Sequence, residues 1–296
     1  MPQGADDCSK LFCKAAKLPN SPRCLFHAAS AAREEYFAGL RPGADMNHRG
    51  TAFSVALLQS LSSATGPRVG NVNFEGASFR GPANFSKFTF EGQANFSGAH
   101  FRHGVSFREV RFEEAVNFDG ATFLQNDQSN DRHYMYTLAD NFAANFTLAR
   151  FVKEVTFRRA DFGVLCVTVP HIGKWVSTWI GFNEVVFGGA VIFDGSTIKA
   201  TLRGRGATFK DKALFRSCEF HGPVEFNDAK FEWGLHLEAS MFKTGGTFKN
   251  AKIYNGFHVE GAWAPYDWPV DLKGGFYEHR MLGFGDDLRG GGDYRR

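Results

Sequence analysis

Phenylalanine recurs every eleven residues along most of this 296-residue chain, in two interleaved series. The two series are offset by five and then six residues, so an apolar side chain returns at every half period. The first block of the two series consists of Phe74, Phe79, Phe85, Phe90, Phe96, Phe101, Phe107, Phe112, Phe118 and Phe123. Neither a helix, with its period of about 3.6, nor plain strand alternation produces this spacing over such a length. The spacing predicts a solenoid of short straight segments joined by tight corners.

The same spacing continues after interruptions, and Gly204 is the one centre without an apolar side chain. The later centres are Phe146, Phe151, Phe157, Phe162, Phe182, Phe187, Phe193, Ile198, Phe209, Phe215, Phe220, Phe226, Phe231, Leu237, Phe242, Phe248, Ile253 and Val259. Two residues before most centres stands a small or compact residue, as at Ala77 and Ala83. Both sets must face inward, because outside they would leave a long exposed apolar stripe. Asparagines between them, such as Asn73 and Asn84, are expected to bond backbone groups at the corners.

The repeated units resemble those of a known family. Runs such as 94–98 (Ala-Asn-Phe-Ser-Gly) followed by 99–103 (Ala-His-Phe-Arg-His) are similar to pentapeptide-repeat proteins, whose unit is a small residue, Asp or Asn, Leu or Phe, then two variable residues. The resemblance covers roughly residues 71–262 and implies a right-handed quadrilateral β-helix, an all-β solenoid. Because the chain alternates five and six residues, one coil should take about 22 residues rather than about 20, giving roughly eight coils. The resemblance also implies a bacterial protein and end-to-end dimers.

Residues 1–70 carry no repeat and are predicted to form a small, mainly α-helical N-terminal cap. A first helix is predicted over Ala28–Leu40, stopped by the sequence Arg-Pro-Gly. A second is predicted over Thr51–Ala64, with Phe53, Leu57, Leu58 and Leu61 on one face. Such a cap would cover the apolar side chains and strand edges of the first coil.

This N-terminal head also contains a set of residues typical of a metal site. Cys8, Cys13, Cys24 and His27 follow a C-x4-C-x10-C-x2-H spacing. Three thiolates and one imidazole suit tetrahedral Zn²⁺, and four protein ligands leave no open position, so the sequence predicts structural zinc. The alternative is that these cysteines only pack beneath the first helix, since cysteine is among the most buried residue types.

The balance of acidic and basic side chains disfavours some of the possible functions. The chain has a formal net charge of +3, and residues 71–262 carry 21 basic against 20 acidic side chains. Family members known for quinolone resistance resemble DNA and bind DNA gyrase, which requires a strongly acidic surface. A nearly neutral coil therefore leaves a topoisomerase-targeting DNA mimic as an alternative rather than the main hypothesis. Nucleic-acid binding is also disfavoured, because phosphate contacts require a basic stripe.

Two insertions and the C-terminal segment depart from the repeat. The insertion near 124–141 is polar, whereas the one near 163–181 is apolar and contains Trp175 and Trp179, which would share a face on a helical turn. This second insertion is expected either to fold over a wall of the rod or to bind a partner. The segment 263–296 brings further aromatic residues, Trp263, Tyr266 and Trp268, and a glycine-rich tail predicted to be disordered from residue 286. We expect residues 263–277 to cover the open end of the solenoid or to form a homodimer.

The main prediction is a non-enzymatic scaffold or adaptor that binds an unidentified protein partner through its insertions or ends. The sequence contains no P-loop, nucleophile elbow or zinc-protease motif. A polysaccharide-active β-helix enzyme is the remaining alternative, and the histidines at 100, 103, 221, 236 and 258 are interpreted as scattered surface residues. No cofactor besides zinc is expected. The absence of a long apolar run or a secretory signal, together with five cysteines, predicts a cytoplasmic protein without a membrane span.

Overall fold

The computed structural model of the protein describes residues 6–123, 142–163, 166–169, 174–264, 270–271, 273–277 and 281–282. Of these, only the backbone is described at 166–169, 174–177, 270, 277 and 281–282. The described chain forms a parallel β-solenoid with two helices, which confirms the predicted fold class. The strands form four walls that the chain visits in the order A, B, C, D.

Each wall is one parallel sheet. Wall A has ten strands: β1 (Met46–Asn47), β4 (Val72–Asn73), β8 (Ala94–Asn95), β12 (Val116–Asn117), β16 (Val155–Thr156), β22 (Val191–Ile192), β26 (Ala213–Leu214), β30 (Leu235–His236), β34 (Phe257–His258) and β37 (Met281–Leu282). Wall B has eight: β2 (Ala52–Phe53), β5 (Ser78–Phe79), β9 (His100–Phe101), β13 (Thr122–Phe123), β17 (Asp161–Phe162), β23 (Thr197–Ile198), β27 (Glu219–Phe220) and β31 (Met241–Phe242).

The other two walls are built in the same way. Wall C has eight strands: β6 (Ala83–Asn84), β10 (Val105–Ser106), β14 (Phe142–Asn145), β20 (Trp179–Gly181), β24 (Thr201–Arg203), β28 (Val224–Glu225), β32 (Gly246–Thr247) and β35 (Val270–Asp271). Wall D has nine: β3 (Arg68–Val69), β7 (Thr89–Phe90), β11 (Arg111–Phe112), β15 (Arg150–Phe151), β21 (Val186–Phe187), β25 (Thr208–Phe209), β29 (Lys230–Phe231), β33 (Lys252–Ile253) and β36 (Phe276–Tyr277).

The five-and-six spacing arises from two kinds of corner. After Phe74 the chain turns within four residues: the Ala77 N–H donates to the Phe74 carbonyl at 2.9 Å, and Gly76 has φ of 60°. A positive φ at the third residue marks a type II turn, which gives the five-residue step. The six-residue step, from Phe79 to Phe85, uses a different corner. The two alternate, so Val72 pairs with a residue 22 positions later, as the sequence predicts.

The core consists of ladders of phenylalanine rings. Phe96 stacks on Phe74 at 5.2 Å between ring centroids and on Phe118 at 5.0 Å, with planes within 16° of parallel. These separations follow the rung spacing of about 4.8 Å, because each ring projects from the same position of a paired strand. The centres and their small neighbours are buried along the described coils, as predicted.

Gly204 occupies a ring position without a ring. A Cβ added there would lie 2.2 Å from Cε1 of Phe226 in the next coil, so the Phe226 ring occupies the space above the glycine. Phe226 consequently tilts by 34° against Phe248, whereas Phe146 and Phe182 in the same column lie within 6° of parallel. The column stays filled despite the missing side chain.

Asparagine side chains close the corners of the walls. The Oδ1 atoms of Asn73 and Asn95 accept the N–H of the residue two positions later, Glu75 and Ser97, at 3.0 Å in both cases. The same contact is made by Asn84, Asn117 and Asn145. The predicted role of these asparagines at corners is confirmed.

The first coil begins inside the segment predicted as a cap. Helix α1 spans Ser30–Gly39 and helix α2 spans Val55–Thr65, close to the predicted helices. Strands β1 and β2 already pair with β4 and β5, so strand pairing starts at residue 46 rather than at 71. In this coil α2 follows wall B and precedes β3 of wall D, so it takes the place of a wall C strand. The helix lacks the repeat pattern, which explains why the sequence did not indicate a coil here.

Strand pairing also continues past Trp263. β35, β36 and β37 pair with β32, β33 and β34, at a spacing of 24 residues rather than 22. The expectation that the aromatic segment ends the strand pattern is therefore wrong, because ladder hydrogen bonds need backbone groups and no particular side chain. Tyr266, Trp268 and the tail from residue 286 lie outside the described residues.

Both insertions leave the solenoid at the same corner, between walls B and C, in consecutive coils. The first connects β13 to β14, and its residues 124–141 lie outside the described residues. The second forms an antiparallel hairpin of β18 (Cys166–Val169) and β19 (Lys174–Ser177), followed by β20. The helical turn considered for Trp175 and Trp179 is wrong: Trp175 pairs with Thr168 in the hairpin, and Trp179 belongs to wall C.

Candidate metal centre and binding surfaces

The four residues predicted to hold zinc lie together in the head. The Cys24 Sγ lies 3.4 Å and the Cys8 Sγ 3.6 Å from His27 Nδ1, and the Sγ atoms of Cys13 and Cys24 are 3.9 Å apart. One ligand atom from each residue lies within 4.8 Å of all the others. We call these four side chains the head cluster.

The head cluster matches the dimensions of a tetrahedral zinc site. Zn–S bonds of about 2.3 Å and Zn–N bonds of about 2.0 Å place two sulfurs about 3.8 Å apart and a sulfur about 3.5 Å from a nitrogen. The observed separations of 3.9 Å and of 3.4 and 3.6 Å agree with these values. The donor set of three cysteines and one histidine is also one that structural zinc uses. The residues present therefore fit the ion.

Local backbone contacts bring the two halves of the head cluster together. The N–H groups of His27 and Ala28 both donate to the Cys24 carbonyl, at 3.0 and 2.9 Å, so Cys24 and His27 lie on one helical turn. The Cys8 N–H donates to the Ala15 carbonyl at 2.7 Å, and the Ser9 N–H reaches the Pro22 carbonyl at 2.7 Å. The second contact ties the loop of the first cysteine pair to the segment before Cys24.

The thiols of the head cluster differ in pKa because burial and hydrogen bonds act on them in opposite directions. Burial raises the pKa of Cys24 to about 12 and also raises the pKa of Cys13. Burial acts in the same direction at Cys8, but hydrogen bonds from the backbone near Cys24 and Lys10 and from His27 outweigh it and bring its pKa to about 6. A cation at the centre would favour the thiolate forms that burial alone disfavours.

A buried histidine joins the head to the coil. His48 takes the place of a phenylalanine in the first coil and stacks on Phe74, with 5.8 Å between ring centroids. Its Nε2 lies 3.1 Å from the Tyr36 hydroxyl on α1. Burial lowers the pKa of His48 to about 3 and raises that of Tyr36 to about 12, so both are neutral near pH 7. The contact fixes α1 on the end of the aromatic column.

Charged side chains on the outer walls form ion pairs between neighbouring coils. Acidic and basic residues face one another across one rung, as in Asp119 with Arg158 at 3.3 Å and Asp161 with Lys199 at 3.1 Å. Further pairs of this kind are Lys87–Glu109, Arg203–Glu225, Arg205–Asp228, Lys243–Glu219 and Lys249–Asp271. Ion pairs between side chains of opposite charge therefore recur along the walls.

The tryptophans proposed for partner binding lie in different environments. Trp263 is 50% exposed and bridges to Met241 at the end of wall B. Trp179 is half-buried on wall C, tilted against Phe142 at 5.6 Å, with the guanidinium of Arg203 5.5 Å from its ring centre. The Trp175 side chain, Tyr266 and Trp268 lie outside the described residues. Trp263 is exposed enough to contact a partner, whereas the Trp179 ring already contacts Phe142 and Arg203 within the protein.

Comparison with known proteins agrees with the repeated units in the walls. A family model for pentapeptide repeats matches nine copies, over residues 68–126 and 205–252. The predicted resemblance to pentapeptide-repeat proteins is confirmed for these two segments. The matched segments are the two regions where the five-and-six spacing runs without an insertion.

One solved structure and the curated proteins add little to this assignment. The chain shows a weak similarity to the structure of full-length QnrB1, a plasmid-mediated fluoroquinolone resistance protein, with 14% identity and a TM-score of 0.18 over 80% of this chain and 92% of that one. Such values carry no information about what the present chain binds. No curated protein matches the sequence. Neither helix in the described part is long and apolar enough to cross a membrane.

Sequence reasoning missed one cluster on the walls. His236 and His258, interpreted as scattered surface residues, face each other on wall A with ring centroids 4.2 Å apart, and Glu238 lies beside them. The two histidines lie 22 residues apart, one coil length, in the same motif, Gly-x-His-x-Glu. A search for duplicated outward positions at the coil spacing would have found this cluster.

Proposed function

We propose that the protein is a non-enzymatic scaffold that binds another protein at the corner between walls B and C. The observation that carries this proposal is that both insertions leave this corner in consecutive coils. After β5, β9, β23, β27 and β31 the chain crosses this corner in two or three residues, as at Arg102–Gly104. Two extra segments therefore leave the walls at the same corner of neighbouring coils, and the hairpin sequence is apolar. Apolar and aromatic residues are what protein partners contact most strongly.

The charge distribution supports a protein partner over the mimicry of DNA. A DNA mimic presents carboxylates that are free to meet a basic saddle. Many carboxylates on the described walls are instead paired with a lysine or arginine one coil away, such as Asp228 with Arg205 at 3.3 Å. No specific observation favours the polysaccharide-active enzyme.

Removing the hairpin tests the scaffold proposal. The variant replaces residues 163–179 with the three-residue corner Arg-His-Gly, copied from Arg102–Gly104, which makes the same connection two coils earlier. Because strand pairing on both sides is independent of the hairpin, we expect the variant to keep its melting temperature within a few degrees. A photo-crosslinker placed in the hairpin should link a host protein to the intact chain, and the variant should fail to retain that protein.

The matched control keeps the hairpin and changes another exposed aromatic residue, Trp233→Ser, which is 58% exposed on a distant corner. This control should retain the same host protein. Equal retention by the hairpin replacement and by the control would contradict the proposal.

A second copy of the chain is the partner we propose for the C-terminal end. Trp263 and Phe276 are exposed there, and β35, β36 and β37 are the last strands of their walls among the described residues. Edges of this kind pair readily with another chain. Light scattering should give twice the monomer mass for the intact protein, and Trp263→Asp should shift it to the monomer while Trp233→Asp does not. A clean monomer at micromolar concentration would disprove the dimer.

We also propose that the head cluster holds structural zinc. The support is the agreement between the four ligand atoms and a tetrahedral ion. The proposed ion has no catalytic role, since Cys8, Cys13, Cys24 and His27 would occupy all four positions. It requires reduced thiols, which is consistent with the reducing compartment that the cysteine content predicts.

A further inference from the structure

Wall A carries the same five-residue motif twice, one coil apart. Residues 234–238 read Gly-Leu-His-Leu-Glu, and residues 256–260 read Gly-Phe-His-Val-Glu. β30 and β34 pair in register, so His236 lies directly opposite His258. Their rings stack with centroids 4.2 Å apart and planes within 6°. Two imidazoles are therefore presented side by side on the outer surface.

Glu238 completes a set of three possible ligands. Its Oε1 lies 3.0 Å from His236 Nδ1, and ligand atoms of His236, Glu238 and His258 all lie within 4.8 Å of one another. The second carboxylate oxygen, Oε2, is buried and has no hydrogen-bond partner among the described residues. A buried carboxylate oxygen without a partner is unfavourable, and a nearby cation would remove this penalty.

The glycines of the motif leave room for the rings. A Cβ added at Gly256 would lie 2.5 Å from Nε2 of His258, and a Cβ added at Gly234 would lie 3.4 Å from Nε2 of His236. A larger residue at position 256 would displace the imidazole from its present place. Gly256 is thus small enough to let the His258 ring lie flat on the wall, whereas a Cβ at Gly234 would only touch the His236 ring.

We propose that His236, Glu238 and His258 form a binding site for a divalent transition-metal ion, separate from the head cluster. Imidazole and carboxylate ligands suit ions such as Zn²⁺, Co²⁺ and Ni²⁺, whereas Mg²⁺ and Ca²⁺ prefer oxygen alone. Three protein ligands on an open wall leave at least one position for water or for a donor from another molecule. The site therefore differs from the head cluster in having an accessible metal.

Binding requires a small adjustment of the rings. Two nitrogens on one tetrahedral ion lie about 3.3 Å apart, given Zn–N bonds of about 2.0 Å. The stacked rings are 4.2 Å apart and parallel, so each must rotate about its Cβ–Cγ bond to direct a nitrogen at a common point. Since the rings lie on the surface of the wall, this rotation leaves the backbone ladder intact.

One basic side chain, Arg216, lies one coil before Glu238 on the same wall, and its charge interacts with that carboxylate. Its Nε also donates to Asp194 at 3.2 Å, one coil further back. Its guanidinium is therefore engaged by a carboxylate of its own. On the other side Glu260 occupies the position equivalent to Glu238 and adds negative charge.

The experiment is a zinc titration of the full chain, with stoichiometry measured by calorimetry and the histidine Cε1–H signals followed by NMR. The wild type should bind two equivalents, and the signals of His236 and His258 should shift with the second. His258→Ala and His236→Ala should each weaken the second equivalent by more than about 100-fold, because even loss of an outer partner of a metal ligand typically costs 10–100-fold. Cys24→Ser should remove the other equivalent and leave these signals responsive.

His221→Ala is the matched control, since His221 is another outward histidine beside a glutamate, Glu219 at 3.1 Å, but has no second histidine opposite it. This variant should bind both equivalents with unchanged affinity. The proposal is overturned if His258→Ala keeps the second equivalent at wild-type affinity, or if zinc leaves the His236 and His258 signals unmoved.

Discussion

The coil and the head bury their interiors by different means. In most rungs of the coil one phenylalanine stacks on the next, so most rings are buried by other phenylalanine rings. The small apolar cluster at the head cluster consists of Cys8, Ala15 and Cys24, with Cys13 and Phe26 partly buried against it. A repeated apolar pattern can stabilise a fold without special chemistry, whereas a short segment with few apolar side chains needs a specific link such as a metal.

Removal of the zinc proposed for the head cluster should produce the largest difference between the two regions. Zinc contributes about 10–16 kcal/mol to the folding of small zinc-binding peptides, so a strong chelator should unfold the segment around the head cluster. Hydrogen exchange should then show lost protection at the amides of Cys8 and Ser9, while the amides of Phe96 and Phe118 stay protected.

The control for this experiment removes a thiol elsewhere. Cys218 is buried in the coil and donates to the Phe193 carbonyl at 3.1 Å. Cys218→Ala should keep the tightly bound zinc, whereas Cys24→Ser should lose it. Unchanged exchange at Cys8 and Ser9 after chelation would mean that the head is stabilised by packing alone.

Truncation of one ring tests the coil half of the comparison. Phe118 stacks on Phe96 at 5.0 Å and on Phe157 at 4.9 Å, so Phe118→Ala should lower the free energy of unfolding by about 3–5 kcal/mol. Urea denaturation measures this change. Phe12→Ala, at a phenylalanine that is 90% exposed in the head, should change it by less than about 0.5 kcal/mol. Equal effects of the two substitutions on the free energy of unfolding would disprove a core stabilised by the stacked phenylalanine rings.

His48, which joins the head to the coil, should make the free energy of unfolding depend on pH. Burial lowers the pKa of His48 to about 3, below its ordinary value of 6.5. Between these values the unfolded chain binds one more proton than the folded one, so the free energy of unfolding falls by about 1.4 kcal/mol per pH unit as the pH falls. The contribution of neutral His48 to the free energy of unfolding is complete above pH 6.5 and is lost as the pH falls towards 3.

The measurement compares urea midpoints of the wild type and His48→Phe between pH 6.5 and 5, where the variant should show the shallower slope. Because His48→Phe leaves the Tyr36 hydroxyl without its partner, the double variant with Tyr36→Phe separates this loss from the pH effect. Parallel curves for all three proteins would show that His48 does not titrate on unfolding.

The smallest expected effect concerns a corner of the coil. Leu148 occupies a five-residue corner with φ of 63°, a conformation that costs an L-residue about 1–2 kcal/mol. Leu148→Gly removes this cost but gives the unfolded chain more freedom, so it should stabilise the protein by up to about 1 kcal/mol. Val152→Gly, at a similarly exposed valine without positive φ, should destabilise it. Thermal denaturation distinguishes the two, and a destabilised Leu148→Gly would refute the argument.

The sequence predicts the coil well because burial repeats there. Residues equivalent to Phe96 and Asn95 recur in similar surroundings from rung to rung. Their spacing therefore reveals the coil length, the core and the corners together. The extension of the solenoid to Met46 and to Leu282 was not predictable in this way, because ladder hydrogen bonds form without the repeat pattern. The grouping of Cys8, Cys13, Cys24 and His27 was predicted from their residue types and spacing, since metal chemistry restricts both. His236 and His258 were missed because the prediction followed the inward positions and did not compare outward positions at the coil spacing.

The shared corner of the two insertions has a consequence for engineering. Each coil contacts mainly its neighbours, so stability is approximately a sum over adjacent rungs. A segment added between walls B and C contributes mostly its closure entropy, which grows only slowly with length. After Phe162 the chain leaves for the hairpin and returns at Trp179 in register with the coil on either side. This corner is therefore the place where a foreign peptide could be displayed from the rod without altering its length or its charge pattern.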